Sequence, residues 1–184
     1  YNDLEGNSEE CLRCTTAKTV RSIECEGCNP GRYKPDQNSE ECIDCAPGLY
    51  SENQNQVVCY DCPLGFFANS IARGGVVRFD RCESCPLGKY GLQEKATNIT
   101  EGCQNCPNGT FSEEEAIENI DLCKGCPKGK WSNEPGATKE SVCENCGTGK
   151  YGPNEKGADS ESNCISCRAG LFLASVGNSG QESC

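Results

Sequence analysis

Large apolar side chains in this sequence come mostly one at a time, at a fixed place in a repeat. An aromatic stands five residues past a cysteine and two past a glycine: Gly31/Tyr33, Gly48/Tyr50, Gly65/Phe67, Gly88/Tyr90, Gly109/Phe111, Gly129/Trp131, Gly149/Tyr151 and Gly170/Phe172. Eight of the twelve aromatics are used this way. Proline directly follows the cysteine at Pro63, Pro86, Pro107 and Pro127. Such Pro-x-Gly stretches predict tight turns, with Pro fixing φ and Gly free to take φ > 0. The aromatic then begins a short extended segment, and as the one large apolar group of its repeat it should pack on a neighbouring disulfide. A second glycine lies seven residues before the next cysteine at Gly75, Gly136, Gly157 and Gly177. It reads as the turn of a small hairpin between the aromatic and that cysteine.

The cysteines set the period. Eighteen of the nineteen form C-x-x-C pairs: Cys11/Cys14, Cys25/Cys28, Cys42/Cys45, Cys59/Cys62, Cys82/Cys85, Cys103/Cys106, Cys123/Cys126, Cys143/Cys146 and Cys164/Cys167, with Cys184 alone. First cysteines follow one another at 14, 17, 17, 23, 21, 20, 20, 21 and 20 residues. A near-constant period is a repeat signature. Sequence alone does not fix connectivity. The simplest scheme joins the second Cys of one pair to the first of the next: Cys14–Cys25, Cys28–Cys42, Cys45–Cys59, Cys62–Cys82, Cys85–Cys103, Cys106–Cys123, Cys126–Cys143, Cys146–Cys164 and Cys167–Cys184. The alternative joins first to first and second to second, two pairs at a time, and nine complete pairs fit it poorly. A closed loop of roughly 15 residues contributes about 3 kcal/mol in the chain-entropy account.

Under the sequential scheme Cys11 is unpaired. Asn7-Ser8-Glu9-Glu10-Cys11 recurs as Asn38-Ser39-Glu40-Glu41-Cys42, and Tyr1 stands near a repeat's aromatic position. The expected partner of Cys11 would lie about four residues upstream of Tyr1, and a free or interchain thiol is the other reading. The organisation is then 1–11, the tail of an upstream repeat; 12–27, an irregular short repeat with Ala17 and Thr19 at the Gly and aromatic places; and 28–184, eight tandem stapled repeats (28–42, 45–59, 62–82, 85–103, 106–123, 126–143, 146–164 and 167–184).

Composition agrees. Leu, Ile, Val and Phe make up 28 of 184 residues. With a net charge of −11, a chain so poor in them would ordinarily stay disordered. Nineteen cysteines, about one residue in ten, mark a disulfide scaffold. Such bonds persist in oxidising compartments, so the expected location is extracellular or cell-surface, by secretion. No run of 18 apolar residues is present, so this segment is not expected to insert directly into a membrane. The acidic balance disfavours nucleic acid and anionic membranes.

The pattern Cys-Pro-x-Gly-x-Tyr/Phe followed by Cys-x-x-Cys, clearest in Cys85-Pro86-Leu87-Gly88-Lys89-Tyr90 and Cys106-Pro107-Asn108-Gly109-Thr110-Phe111, resembles the ephrin-receptor-like cysteine-rich repeat. It is also similar to the first module of tumour-necrosis-factor-receptor domains and, more loosely, to EGF-like modules. The resemblance covers about 28–184. Asn29, Ala46, Gly147 and Arg168 replace the proline in four repeats. It implies extracellular stalks, receptor ectodomains and surface proteins, and no catalytic residues. Fold-level likeness by itself is a thin warrant for function.

Other chemistry is sparse. C-x-x-C pairs can bind zinc, but here they recur with no His and a Gly turn after each. Absence of His removes imidazole general-base chemistry. Glu113-Glu114-Glu115 reads as a solvated run. No cofactor is expected, and Ca²⁺ at that run is the alternative, without the Asp-rich loop that calcium sites use. Ser112 and Glu115 could form a capping box for one helical turn through Ile117 and Ile120. Asn98-Ile99-Thr100 and Asn108-Gly109-Thr110 are N-glycosylation sequons. Val76, Val77 and Phe79 form an extra apolar patch in the longest loop.

The expected fold is small and disulfide-rich: an elongated tandem array of short β-hairpin and turn repeats, mostly β and irregular, almost without helix. Each repeat should contact only its neighbours. The expected function is structural, not enzymatic: a stalk, coat or surface-filament subunit, partnered by copies of itself, other extracellular proteins and N-glycans. The alternative is a ligand-binding or spacer region of a receptor ectodomain.

Overall fold

The tight turns and short strands recur along the chain in the computed structural model, which describes residues 18–21, 24–36, 41–68, 71–73, 76–78, 81–153 and 157–184. Cys11, Cys14, Tyr1, Gly75 and Phe79 lie outside the described residues, so the Cys14–Cys25 link and the reading of Cys11 do too.

Each repeat begins with a β-turn after its second cysteine. The N–H of the residue before the aromatic donates to the carbonyl of the residue after the cysteine, as in Lys89 to Pro86 at 3.2 Å and Lys130 to Pro127 at 3.0 Å. Gly88 and Gly129 sit between them at φ of 74° and 81°, the left-handed position that a type II turn requires at its third residue. The aromatic strand then pairs, antiparallel, with the two residues between the cysteines of the next C-x-x-C. Tyr33 lies opposite Ile43, Tyr50 opposite Tyr60, Phe67 opposite Glu83, Tyr90 opposite Gln104, Phe111 opposite Lys124, Trp131 opposite Glu144 and Tyr151 opposite Ile165. The short repeat keeps this register without an aromatic: strands Lys18–Arg21 and Glu24–Gly27 pair with Thr19 opposite Glu26. Backbone ladder and cysteine spacing, not the ring, therefore set the register. The 62–82 loop adds a second hairpin, Ile71–Arg73 against Val76–Arg78.

Among the described residues eight disulfides join Cys28–Cys42, Cys45–Cys59, Cys62–Cys82, Cys85–Cys103, Cys106–Cys123, Cys126–Cys143, Cys146–Cys164 and Cys167–Cys184. Their Cα–Cα separations are 5.6–5.8 Å, inside the ordinary range. The fold is small, disulfide-rich, mostly β and irregular.

The structure corrects three expectations. Gly136 and Gly177 do not close a hairpin between the aromatic and the next cysteine; the polar loop does so by a longer route. Positions 74–75, by contrast, connect the paired strands Ile71–Arg73 and Val76–Arg78, as the hairpin expectation at Gly75 requires. Gly136 and Gly177 instead turn back at φ of 74° and 73° to donate N–H to Cys106 and Cys146 of the preceding repeat, at 2.8 and 3.0 Å. Asn55, Lys95 and Ala116 hold the same position with positive φ and make the same bond to Cys28, Cys62 and Cys85. An Ala in left-handed backbone costs roughly 1–2 kcal/mol. Ala116→Gly is therefore expected to raise stability by about 0.5 kcal/mol, after the entropy that Gly loses on folding. A denaturant midpoint unchanged or lowered at constant slope would contradict this.

The second correction concerns helix. Ser112 does not open a capping box with Glu115: its hydroxyl is buried, donates to Glu114 O (2.9 Å) and accepts from Glu114 N (3.3 Å), a side-chain turn. Helical turns form instead just before the cysteines. One is α-helical at Ile99–Gly102 with Asn98 as N-cap, and 3-10 turns lie at Ile120–Leu122, Glu140–Val142, Glu161–Asn163 and Gln181–Ser183.

The third concerns reach, because contact is not limited to adjacent repeats. A Cβ on Gly88, in repeat 85–103, would lie 2.2 Å from Gly136 O, in repeat 126–143. On Gly48 it would meet Lys95 O at 2.1 Å, on Gly65 Ala116 O at 2.5 Å, on Gly109 Ala158 C at 2.8 Å and on Gly129 Gly177 O at 2.2 Å. Every one of these contacts skips one repeat.

Candidate functional site

The working unit of this fold is the joint between repeats. At its centre the aromatic of one repeat lies on the disulfide of the next. Phe67 clusters with Cys85, Cys103 and Ala96, and Phe111 with Cys126, Cys143 and Ala137. Tyr90 packs against Cys106, Cys123 and Ile117, and Tyr50 against the cluster holding Cys62, with Cys82 beside it. In a chain so poor in aliphatic residues, the disulfide is the apolar group that every stapled repeat supplies. Second cysteines are deeply enclosed before the last repeat: Cys62, Cys85, Cys106 and Cys146 are all 0% exposed, while Cys167 is half-buried.

The residue after the aromatic is the part of the joint that the sequence reading missed. It is buried throughout, as Lys34, Ser51, Ala68, Gly91, Ser112, Ser132, Gly152 and Leu173. Ser112 shows why. Its carbonyl accepts from Gly88 N of the preceding repeat (3.1 Å), and its N–H donates to Ala137 O of the following one (3.0 Å). Ser132 bridges Gly109 and Ala158 in the same way (2.7 and 2.9 Å), and Gly152 bridges Gly129 and Asn178 (2.9 and 2.8 Å). Six of the eight residues at this place are small, as backbone held on both sides favours, while Lys34 and Leu173 bury larger side chains there. The recurrence of Ser, Ala or Gly one place after the ring in those six was the available signal. Cys106 N to Gly88 O and Cys126 N to Gly109 O, at 2.8 and 2.7 Å, complete each joint.

Charged side chains line the outside. Lys130 pairs with Glu140 (3.2 Å), Lys150 with Glu161 (2.9 Å), Lys124 with Glu114 (3.1 Å) and Arg32 with Asp44 (2.6 Å). Exposed pairs of this kind contribute little individually. In the Glu113-Glu114-Glu115 run, Glu114 goes to Lys124 while Glu115 accepts from Ser84 Oγ at 2.9 Å. Among the described residues no three His, Cys, Asp or Glu gather as a metal site would require. The sixteen cysteines of the eight bonds are disulfide-linked and offer no thiolate.

Both acceptor asparagines, Asn98 and Asn108, are exposed. Asn98 Oδ1 accepts from Thr100 N (3.0 Å), Glu101 N (3.1 Å) and Thr100 Oγ1 (2.6 Å), while its amide nitrogen donates to Thr97 Oγ1 (3.1 Å). The Thr97 hydroxyl and N–H donate to Glu101, at 2.6 and 3.1 Å, and hold its carboxyl below the usual glutamate range. A lowered folded-state pKa contributes stability above the unfolded value that is lost as pH falls through the folded one. This turn should accordingly loosen only in acid. Asn108 occupies the second position of the Pro107-Asn108-Gly109-Thr110 turn, where Thr110 Oγ1 donates to Pro107 O at 2.7 Å.

An open groove of about 580 Å³ runs beside Tyr90, Ile99, Ile120, Pro107 and Pro135. Its one cation, Lys89, is bonded to Asn105 Oδ1 at 2.5 Å. Among the described residues no helix is long and apolar enough to cross a membrane.

Residues 31–73 and 48–102 match the family described as tyrosine-protein kinase ephrin type A/B receptor-like. The two windows overlap across the first joints of the array. No curated protein matches the chain.

Proposed function

We propose that this chain, whose residues 31–102 are ephrin-receptor-like cysteine-rich repeats, is an extracellular structural segment of a stalk, coat or surface-filament subunit, not an enzyme. The observation that carries the reading is the joint. Tyr50, Phe67, Tyr90 and Phe111 each lie on the next repeat's disulfide. The groups that would otherwise make a binding pocket hold one repeat to another. Disulfides at this density belong to an oxidising exterior. The reading needs no cofactor, and its partners are copies of the same chain or other extracellular proteins. Electron microscopy of native material, labelled with an antibody to this segment, tests it. Label along filaments or stalks outside the cell is expected, and label confined to the cell interior overturns it.

A second reading, a ligand-binding or spacer region of a receptor ectodomain, draws support from the groove at Tyr90, Ile120 and Pro135 and from the receptor named in the family's description. Label on dispersed single particles would favour it.

N-glycans at Asn98 and Asn108 belong to the proposal. A glycan on the Asn98 amide nitrogen leaves Oδ1 free to keep its cap. Two variants separate the roles. Thr100→Ala is expected to remove one glycan's worth of mass and keep the Asn98 cap on the Thr100 and Glu101 amides. Asn98→Gln is expected to remove the same mass and cost about 1 kcal/mol more through the lost cap. Intact mass and melting read the two effects separately, and unchanged mass in both variants rejects the modification.

A further inference from the structure

We propose that the array is a strap that carries tension, with the load running through the disulfides and C-x-x-C linkers while the loop residues lie off the covalent path. The inference rests on the structural reading above.

The eight disulfide loops follow one another without overlap, from Cys28–Cys42 to Cys167–Cys184. A pull on the chain enters a repeat at one cysteine and crosses the disulfide. It leaves through the two residues before the next cysteine. The covalent path per repeat is one Cα–Cα crossing of 5.6–5.8 Å and three peptide steps of at most ~3.6 Å, about 17 Å in total. The residues between bonded cysteines, which stand 14–20 positions apart, bear no load while the bond holds. Little slack remains in the linkers, because they are already strands: Ile43–Asp44, Tyr60–Asp61, Glu83–Ser84, Cys103–Asn105, Lys124–Gly125, Glu144–Asn145 and Ile165–Ser166. A strand rises ~3.3 Å per residue, close to the extended limit.

The contacts that skip a repeat set the resistance before that stop is reached. Separating repeat 85–103 from repeat 126–143 must lift Gly88 off Gly136 and break the Gly88–Ser112–Ala137 backbone chain. Gly149 supplies a matched control. Its φ of 72° equals the 74° of Gly88 within two degrees, and in this 184-residue segment, which holds no repeat two places beyond 146–164, a Cβ there meets nothing within 4 Å. Alanine strains both turns alike, and only at Gly88 does it also collide with the repeat two places on.

Single-molecule pulling of the full chain through handles at its termini tests the proposal. Beyond the extension of residues 1–27, the oxidised chain is expected to show no step larger than about 17 Å per repeat. Reductant is expected to release up to eight steps of roughly 45–65 Å, the length of the opened loops. Gly88→Ala is expected to soften the oxidised chain without moving its maximum length, and Gly149→Ala to leave stiffness near wild type. Steps of 45 Å or more without reductant overturn the covalent path. Equal softening by both variants overturns the interlock. A soft, extensible chain on material that labels filaments outside the cell would reject the strap and leave the structural reading standing. An inextensible chain found inside the cell would reject that reading.

Discussion

Removing the Cys126–Cys143 staple, by Cys126→Ala with Cys143→Ala, is expected to cost repeat 126–143 about 3 kcal/mol, enough to open it locally. The bond closes a loop of 17 residues, and in this chain little else closes it. Two further losses follow. Phe111 of the preceding repeat packs on these two sulfurs together with Ala137, so its cover goes as well. Gly136, which bonds Cys106 O and seats Gly88, is in the freed loop. Hydrogen exchange should therefore rise in 127–142, and also at Ser112 and Gly88 one and two repeats upstream. Limited proteolysis should cut in 127–142 first. Exchange confined to 127–142, with 88 and 112 still protected, would show that the joints do not transmit the loss.

Phe111→Ala is expected to destabilise by about 3 kcal/mol, the low end of the range for a buried ring because the surrounding core is small. Phe172→Ala, at the same place in its own repeat, is expected to change stability by less than about 0.5 kcal/mol. The difference is burial: Phe111 is 5% exposed, and Phe172, which no further cysteine pair follows in this 184-residue segment, is 77% exposed. Phe172 lies in no strand, whereas Phe111 pairs with Lys124 and covers Cys126 and Cys143, so comparing the two variants by denaturant unfolding of the oxidised protein reads the strand pair and the following disulfide together. Equal effects would mean that neither the following disulfide nor the strand pair holds the ring, and would remove the basis for the joint as drawn.

Much of the local structure can be read from residue order alone. The φ > 0 glycines at 88, 109 and 129 announce themselves, because a Pro-x-Gly turn with no Cβ at its third residue has few other conformations open to it. The aromatic's need for a large apolar neighbour is legible from the shortage of any other, and the disulfide is the one supplied in every repeat. At Gly136 and Gly177 the second glycine is a turn, as its residue type implies, but its partner is distant. Its φ is local, while its hydrogen bond goes to a cysteine about thirty residues upstream, as from Gly136 to Cys106. Asn55, Lys95 and Ala116 share that backbone without being glycine, so composition hides them. The Ser112 turn was mistaken for a helix start because Ser followed by Glu carries the same local signal in both settings. The buried backbone between two neighbouring repeats decided for the turn.

What the sequence determined by itself is the period, the turn after each second cysteine, the single ring per repeat and the kind of fold that eight closed loops make. These depend on residue type and on separations of a few residues. What only the tertiary structure decided is how the repeats stack: that Ser112 joins repeats on both sides of it, and that Gly88 seats Gly136 across an intervening repeat. That arrangement depends on the rotation and rise from one repeat to the next. It is set by the summed geometry of turns, linkers and disulfides, and no single residue encodes it.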